Sequence, residues 1–272
     1  MGDEIASKDQ GFEKDQGFEK NQGSTQDQLK ERVNFLKVPI DIVEPSQLGL
    51  LVFQLLTEGK EQNIVLLSVW DLLRARRNVE YRDYVNNAAL VIPISKSIVS
   101  GIRFLLGKQA VRYMPFDFVI NLLTILGNSE FSSYFLGSKK RILIKIEKNI
   151  RETFPGLRIV GRYPGSFRRH EEPVIIEAIR KASPSLLLVG KGVRSGEHWI
   201  ARNSERLGKG MRLWCSDLFD VFAERKRHPS RASFDLGLEW IGYCLQNPFK
   251  LLRFFPFMYY NILLLVYKIG KK

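Results

Sequence analysis

SLLLVG at residues 185–190 runs directly into KGVRSGEHWIARN at residues 191–203. Leu186, Leu187, Leu188 and Val189 follow one another without a polar residue between them. A strand with one wet face alternates apolar and polar residues. An unbroken run belongs to a strand buried on both faces, as in a parallel sheet covered by helices above and below. Gly190-Lys191-Gly192 closes the run, and the spacing over 196–206 predicts a helix after it.

The same rhythm extends in both directions. VNFLKV (33–38), NIVLLS (63–68), AALVIP (88–93), YFLG (134–137), LRIVG (157–161) and MRLWC (211–215) read as further strands. Residues 46–58, 70–86, 96–106, 115–127, 139–153 and 171–182 have helical length and spacing between them. Strands alternating with helices predict an α/β protein with a Rossmann-like parallel sheet and flanking helices. Ligands of such sheets sit beyond the C-terminal strand ends, so the residues just after each run are where chemistry is expected. A last helical region begins near Phe234 and runs to the C-terminus, with interruptions expected at Pro248 and Pro256.

Three regions follow from this reading: 1–31, 32–232 and 233–272. In the first, DQGFEK occurs twice within SKDQGFEKDQGFEKNQG (7–23). That composition buries too little apolar surface to fold and predicts a disordered tail. The second is the α/β domain and the third a helical, membrane-associating appendage. Within it, Phe254 to Val266 is nearly all apolar, with Arg253 before it and Lys268 after it. This suits an interfacial segment, its aromatics at headgroup depth and its lysines toward anionic lipid. The competing expectation is a helix docked on the parent domain. No apolar run reaches the roughly 18 residues needed to span a bilayer.

Of the 272 residues, 44% are hydrophobic and 26% charged, and the net charge is +13. The tail, with four Lys against eight Asp/Glu, carries −4, so the rest carries +17. Residues 139–170 hold ten Lys/Arg against two Glu, and residues 224–272 hold nine against three Asp/Glu. Such patches suit an anionic partner: a diphosphate, an anionic lipid or a nucleic acid. The third is disfavoured because the patches lack interleaved aromatics for stacking bases. Cys215 and Cys244 form no CxxC pattern, which argues against a zinc site or a disulfide framework. The acidic, polar N-terminus has no signal-peptide pattern, so a cytoplasmic protein is expected.

Gly190 and Gly192 before a helix would let backbone amides approach a phosphate at a helix N-terminus, although a plain strand-to-helix turn needs the same residues. Gly190, Gly192, Glu197 and Trp199 also stand in the frame GxGxPxQExW, the signature of the WecG/TagA/CpsF glycosyltransferases, which the chain resembles. FPGLRIVGRYPGSF (154–167), LFDVFAERKRHP (218–229) and LGLEWIGYCLQNPFKLLR (236–253) resemble further blocks of that family. RNVEYRDYVNNAALVIP (77–93) resembles the approach to its PDG motif. The frame runs from about residue 33 to residue 253.

The resemblance implies an inverting transferase. It would move an N-acetylmannosamine-like sugar from a UDP-sugar donor to a polyprenyl-diphosphate-linked acceptor, at the inner membrane face, in cell-envelope polysaccharide synthesis. It implies no cofactor and no metal, so Lys, Arg and helix N-termini would carry the leaving-group charge. Carried over position by position, it assigns nucleotide or diphosphate binding to Gly190, Gly192, Glu197, Asp220, Arg112, Lys250 and Arg253. The general-base Asp of PDG falls on Ile94, which cannot accept a proton. The family's other polar positions fall on Leu66, Ser68, Ser166, Gly196 and Tyr243. Lys96 is the nearby group able to replace a lost charge. Two functions therefore stay open: a transferase with an altered site, and a catalytically inactive relative that binds or scaffolds in an envelope pathway. A homo-oligomer is compatible with either.

Simpler roles exist for the same residues. Trp199 and Trp240 suit packing, Glu197 the first turn of a helix, Asp220 a cap, and Lys250 and Arg253 snorkelling to an interface. His170, His198 and His228 are scattered and suggest neither a metal site nor catalysis.

Overall fold

The computed structural model describes residues 28–227, 231–237 and 254–270. Its centre is a six-stranded parallel sheet of β3 (Glu61–Leu67), β4 (Leu90–Pro93), β5 (Ser132–Leu136), β6 (Arg158–Tyr163), β7 (Leu186–Gly190) and β8 (Gly210–Ser216), in the order β4-β3-β8-β7-β5-β6. Every residue of β7 is buried, as the unbroken apolar run requires.

Alternate strand residues feed two cores. Val65, Leu67, Leu187 and Val189 point to one face. It is covered by α2 (Val69–Arg77), α3 (Val79–Asn86), α4 (Lys96–Leu106), α7 (Glu172–Ala182) and α8 (Glu197–Leu207). Ile64, Leu66, Leu186 and Leu188 point to the other, under α1 (Pro45–Glu58), α5 (Pro115–Asn128), α6 (Lys140–Thr153) and the short α9 (Leu218–Phe222). From neighbouring strands β5 and β7 the chain departs toward opposite faces, into α6 and α8. That divergence marks the topological switch point of the sheet, beyond whose strand ends ligands of such folds bind.

The first departure from expectation is at VNFLKV. Instead of one strand it contributes to a hairpin of β1 (Glu31–Phe35) and β2 (Val38–Ile42), with Phe35 paired to Val38. The chain reverses at Leu36 and Lys37, at φ 52° and 68°. Two-residue hairpin turns demand this left-handed backbone and usually signal it with Gly or Asn. Here burial of Leu36, 3% exposed, compensates the strain. The hairpin meets β4 through side chains: Arg32 holds the buried Asp41 at 2.7 and 2.8 Å and also donates to Ala88 O, while Asp41 accepts from the Val91 amide at 2.7 Å. Residues 28–31, expected in the tail, already belong to the fold, for Leu29 is buried and Lys30 donates to Ala89 O. The rest of the expected tail lies outside the described residues.

Residues 70–86 form two helices, not one. Asn78 adopts extended φ/ψ between them, and its side chain caps α3 by accepting from Tyr81 N at 2.7 Å. Near the C-terminus, α10 (Arg231–Leu236) is followed, after residues outside the description, by α11 (Phe254–Ile269). Pro256 does not interrupt α11. It stands in the first turn, where its missing N–H has no intrahelical partner to lose. Pro248 lies outside the described residues.

One side of α11 docks on α2 and α4. Tyr260, 1% exposed, donates to Ser97 O at 2.7 Å above Gly101, where any Cβ would overlap its hydroxyl. Arg76 donates to the Tyr267 hydroxyl at 3.1 Å, and Lys268 to Phe104 O at 2.9 Å. The opposite side faces outward with Phe255, Met258, Ile262, Leu265, Val266 and Ile269, exposed by 46% (Met258) to 73% (Ile269). Among the described residues no helix is long and apolar enough to cross a membrane.

Candidate active-site cleft

At the C-terminal ends of the strands, three loops interlock backbone to backbone. Ser138 N donates to Lys191 O, Gly165 N to Ser138 O at 2.9 Å, and Lys191 N to Ser216 O at 3.1 Å. A Cβ on Gly137 would come within 2.8 Å of the Gly190 carbonyl group, and one on Gly165 within 2.8 Å of Gly192 C. Gly190 itself packs on the Phe219 ring, and Gly192 sits at φ 101°. The GKG turn thus has a structural reason for its glycines in the protein's own neighbouring loops. Gly190 and Gly192 stand in these interlocked loops at the C-terminal ends of β5 and β7.

Glu197 opens α8, but its side chain turns inward and is 8% exposed. Arg74 Nη1 lies 3.5 Å from its carboxylate, and the same guanidinium stacks 4.2 Å from the Tyr81 ring centroid. Burial above all, then the neighbouring Asp71, pushes the Glu197 carboxyl up to about 8, which Tyr81 and Arg74 only partly oppose. The Tyr81 hydroxyl lies beside that carboxyl without a hydrogen bond of ordinary geometry. Asp71 is also raised, by burial, against its bonds with Ser68. Those bonds form a capping box: Ser68 Oγ accepts from Asp71 N at 3.3 Å, and the Asp71 carboxylate accepts from Ser68 N at 3.1 Å. Ser68, Asp71, Arg74, Tyr81 and Glu197 are therefore one polar cluster, with Tyr81 and Glu197 buried and the others partly buried. The sequence exposed only its outer members, because its assembly depends on the break between α2 and α3.

At the end of β4, Ile94 packs partly buried on the second core. Arg112 donates from Nε to Ile94 O at 2.9 Å and from Nη1 to Phe234 O. Its guanidinium lies 3.7 Å from the Phe234 ring centroid. Lys96 donates to Asp235 O at 3.0 Å, and Gly237 packs on its side chain. Residues 234–237 thus cover both cations that flank the Ile94 position.

On the next rim segment, Asp217 stands between Lys226 at 2.8 Å and Lys191 at 3.1 Å. Burial raises its carboxyl, but the bonds from Lys226 and Lys191 outweigh that and hold it below the usual range. Nothing in the sequence pointed to Asp217, since its partners are 26 residues before it and 9 after it. Asp220 pairs with Arg225 at 3.0 Å, and its carbonyl accepts from the Arg225 and Lys226 amides, so it organises the turn that carries Lys226.

Leu66 points into the second core and Ser166 is exposed. Trp199 is 1% exposed and meets Phe167 in a T-shaped contact at 6.2 Å, a packing position. Lys250, Arg253, Trp240 and Tyr243 lie outside the described residues, as does His228. The cleft therefore brings together Gly190, Gly192, Lys191 and Asp217 on one part of the rim, and Ile94, Arg112 and Lys96 on another.

Compared with protein families, residues 33–272 match the model described as "Glycosyl transferase WecG/TagA/CpsF family". The match spans the sheet, both helical layers and α11.

Proposed function

Because the chain belongs to the WecG/TagA/CpsF family of glycosyl transferases, we propose that it is a membrane-peripheral transferase of cell-envelope polysaccharide synthesis. It takes an N-acetylmannosamine-like sugar from a UDP-sugar to a polyprenyl-diphosphate-linked acceptor at the inner, cytoplasmic membrane face. The observation that carries this reading is the family match over the whole parallel sheet together with the outward apolar side of α11. A docked helix with one apolar side free suits a surface-bound protein whose acceptor is lipid-anchored.

In the reaction, an acceptor hydroxyl attacks the anomeric carbon, the bond from that carbon to UDP breaks, and UDP leaves with the electron pair. Lys191 and Lys226, beside the turn that Gly190 and Gly192 shape, together with Arg112 and with Lys250 and Arg253, are the cations suited to that charge. The hydroxyl proton needs an acceptor. Ile94 offers none, and Glu197, with its carboxyl raised to about 8, is largely protonated at neutral pH and faces Arg74 rather than open solvent.

A second reading is favoured by one specific observation: Arg112 is already engaged by Ile94 O and Phe234. On that reading the protein is a catalytically inactive relative that binds or scaffolds envelope components. General-base catalysis is worth about 10²–10⁴ in rate, so turnover by wild type is expected to be absent or small. The test is transfer of radiolabelled UDP-N-acetylmannosamine to a lipid-diphosphate acceptor by wild type and Ile94→Asp, beside a UDP-sugar binding screen. Weak turnover with measurable binding supports the transferase; no binding of any UDP-sugar leaves the scaffold. Robust turnover by wild type would mean a base elsewhere, with Lys96 the first residue to replace.

A further inference from the structure

Asp217 stands where two loops of the rim meet, with one carboxylate oxygen toward each of two lysines. Its Oδ1 lies 3.1 Å from Lys191 Nζ and its Oδ2 2.8 Å from Lys226 Nζ. Lys191 belongs to the GKG turn after β7, and Lys226 to the turn after α9. Asp217 occupies the N-cap position of α9, where an aspartate ordinarily caps the helix. Its side chain makes no cap bond and reaches for the lysines instead. Ser216, directly before Asp217, and Glu224, just before Lys226, hold left-handed backbone at φ 46° and 56° without being glycine. Such backbone persists only where the surroundings enforce it, and it collects at ligand clamps and active sites.

All three side chains keep access to solvent, Asp217 being 43% exposed. Ion pairs so placed are weak and exchange readily for other anions. Asp217 brings one negative charge to two ammonium groups, whereas a diphosphate brings a charge on each phosphate and suits both lysines at once. We infer that the space between Lys191 and Lys226 seats the diphosphate of the nucleotide donor, and that Asp217 is its internal competitor, filling the seat when no nucleotide is bound. The donor enters by displacing the carboxylate from the lysines. After sugar transfer the carboxylate takes the lysines back and so helps UDP to leave. This role rests on the transferase reading above, and it makes Asp217 the residue that sets how tightly the site holds its nucleotide.

Titration calorimetry on the full chain, with UDP and separately with inorganic pyrophosphate, tests it. Asp217→Asn keeps the shape of the side chain but removes its charge. Asp217→Ser, also a residue suited to an N-cap, is the second variant and guards against a folding artefact. Both are expected to bind either ligand about tenfold more tightly than wild type, the worth of two exposed ion pairs that no longer have to be broken. Glu224→Gln removes an exposed carboxylate paired with Lys145 instead, and should change affinity by less than about twofold. Lys191→Met together with Lys226→Met should abolish the gain. The sign decides, because a carboxylate that merely stapled the loops would weaken the site when removed. Weaker or unchanged binding in both Asp217 variants, or an equal gain in Glu224→Gln, overturns the competitor and leaves the transferase reading in place. Tighter pyrophosphate binding without any UDP binding keeps the seat and removes that reading. Binding of neither ligand by any of these proteins overturns both.

Discussion

Arg112 donates its Nε–H to the carbonyl oxygen of Ile94 at 2.9 Å. The cation expected to hold a leaving diphosphate is thereby tied to the very residue that stands in place of the family's base, and Phe234 covers it from above. Removing that ring should open one face of the guanidinium, while the backbone carbonyls of Ile94 and Phe234 go on holding its Nε and Nη1. Phe234→Ala is expected to tighten UDP binding by up to about tenfold, the worth of one additional charge-assisted hydrogen bond. Calorimetric titration of UDP into both proteins checks this; equal affinities would mean that Arg112 does not face the nucleotide.

The Glu197 carboxyl, raised from 4.5 to about 8, makes stability depend on pH. Between those values the folded chain keeps a proton that the unfolded chain has released, so stability falls as pH rises through that window. Asp71, shifted the same way, adds to the trend. Glu197→Gln should flatten the profile, removing a slope of at most about 1.4 kcal/mol per pH unit. Urea unfolding at pH 5 and pH 8 measures it, and a mutant with the wild-type slope would place the titration elsewhere.

On α11, Ile262→Asp with Leu265→Asp should abolish vesicle flotation while leaving the fold intact. Both side chains are at least half exposed, so folding loses little. Each would contribute about 1.5–3 kcal/mol if fully buried in lipid, and the pair should lower partitioning by more than about tenfold. Deleting residues 250–272 should have the same effect on flotation, whereas Tyr260→Phe, inside the docked side, should affect stability instead.

Gly165→Ala is expected to destabilise the rim by about 1–3 kcal/mol, because the new Cβ would press on Gly192 and Val193 backbone that has no room to retreat. Gly49→Ala, in open space within α1, should be neutral or slightly stabilising. Thermal melts of the two variants give the contrast directly.

The sheet was legible because its inner strands are buried on both faces, so burial writes them as apolar runs, whereas the edge strand β6 has no buried residue. The hairpin was not, because Leu36 and Lys37 occupy left-handed backbone without the residues that normally announce it. Nor was the break at Asn78, where helical spacing continues on both sides and only a cap marks the change. For the cleft, the sequence identified the rim loops and the loss of a carboxylate at Ile94. It did not reveal that Glu197 turns inward, since helix position fixes where a side chain starts and packing decides where it ends. Asp217 was invisible for a related reason: its meaning lies in two lysines brought to it by separate loops. For α11, apolarity, aromatics and flanking charge suggested either docking or an interface, and the helix has one side docked and the other exposed.

The hairpin also bears on how copies of this chain can meet. β4 and β6 are the two edge strands of the sheet, where unpaired backbone invites another chain to add on. At β4 the invitation is withdrawn by side chains: Asp41 takes the Val91 amide, and Arg32 and Lys30 take the Ala88 and Ala89 carbonyls. At β6, Arg158 is exposed and Arg162 is paired with Glu147 of the same molecule. Extension of the sheet from one molecule to the next is therefore disfavoured at the β4 end, and β6 is the edge left to carry it.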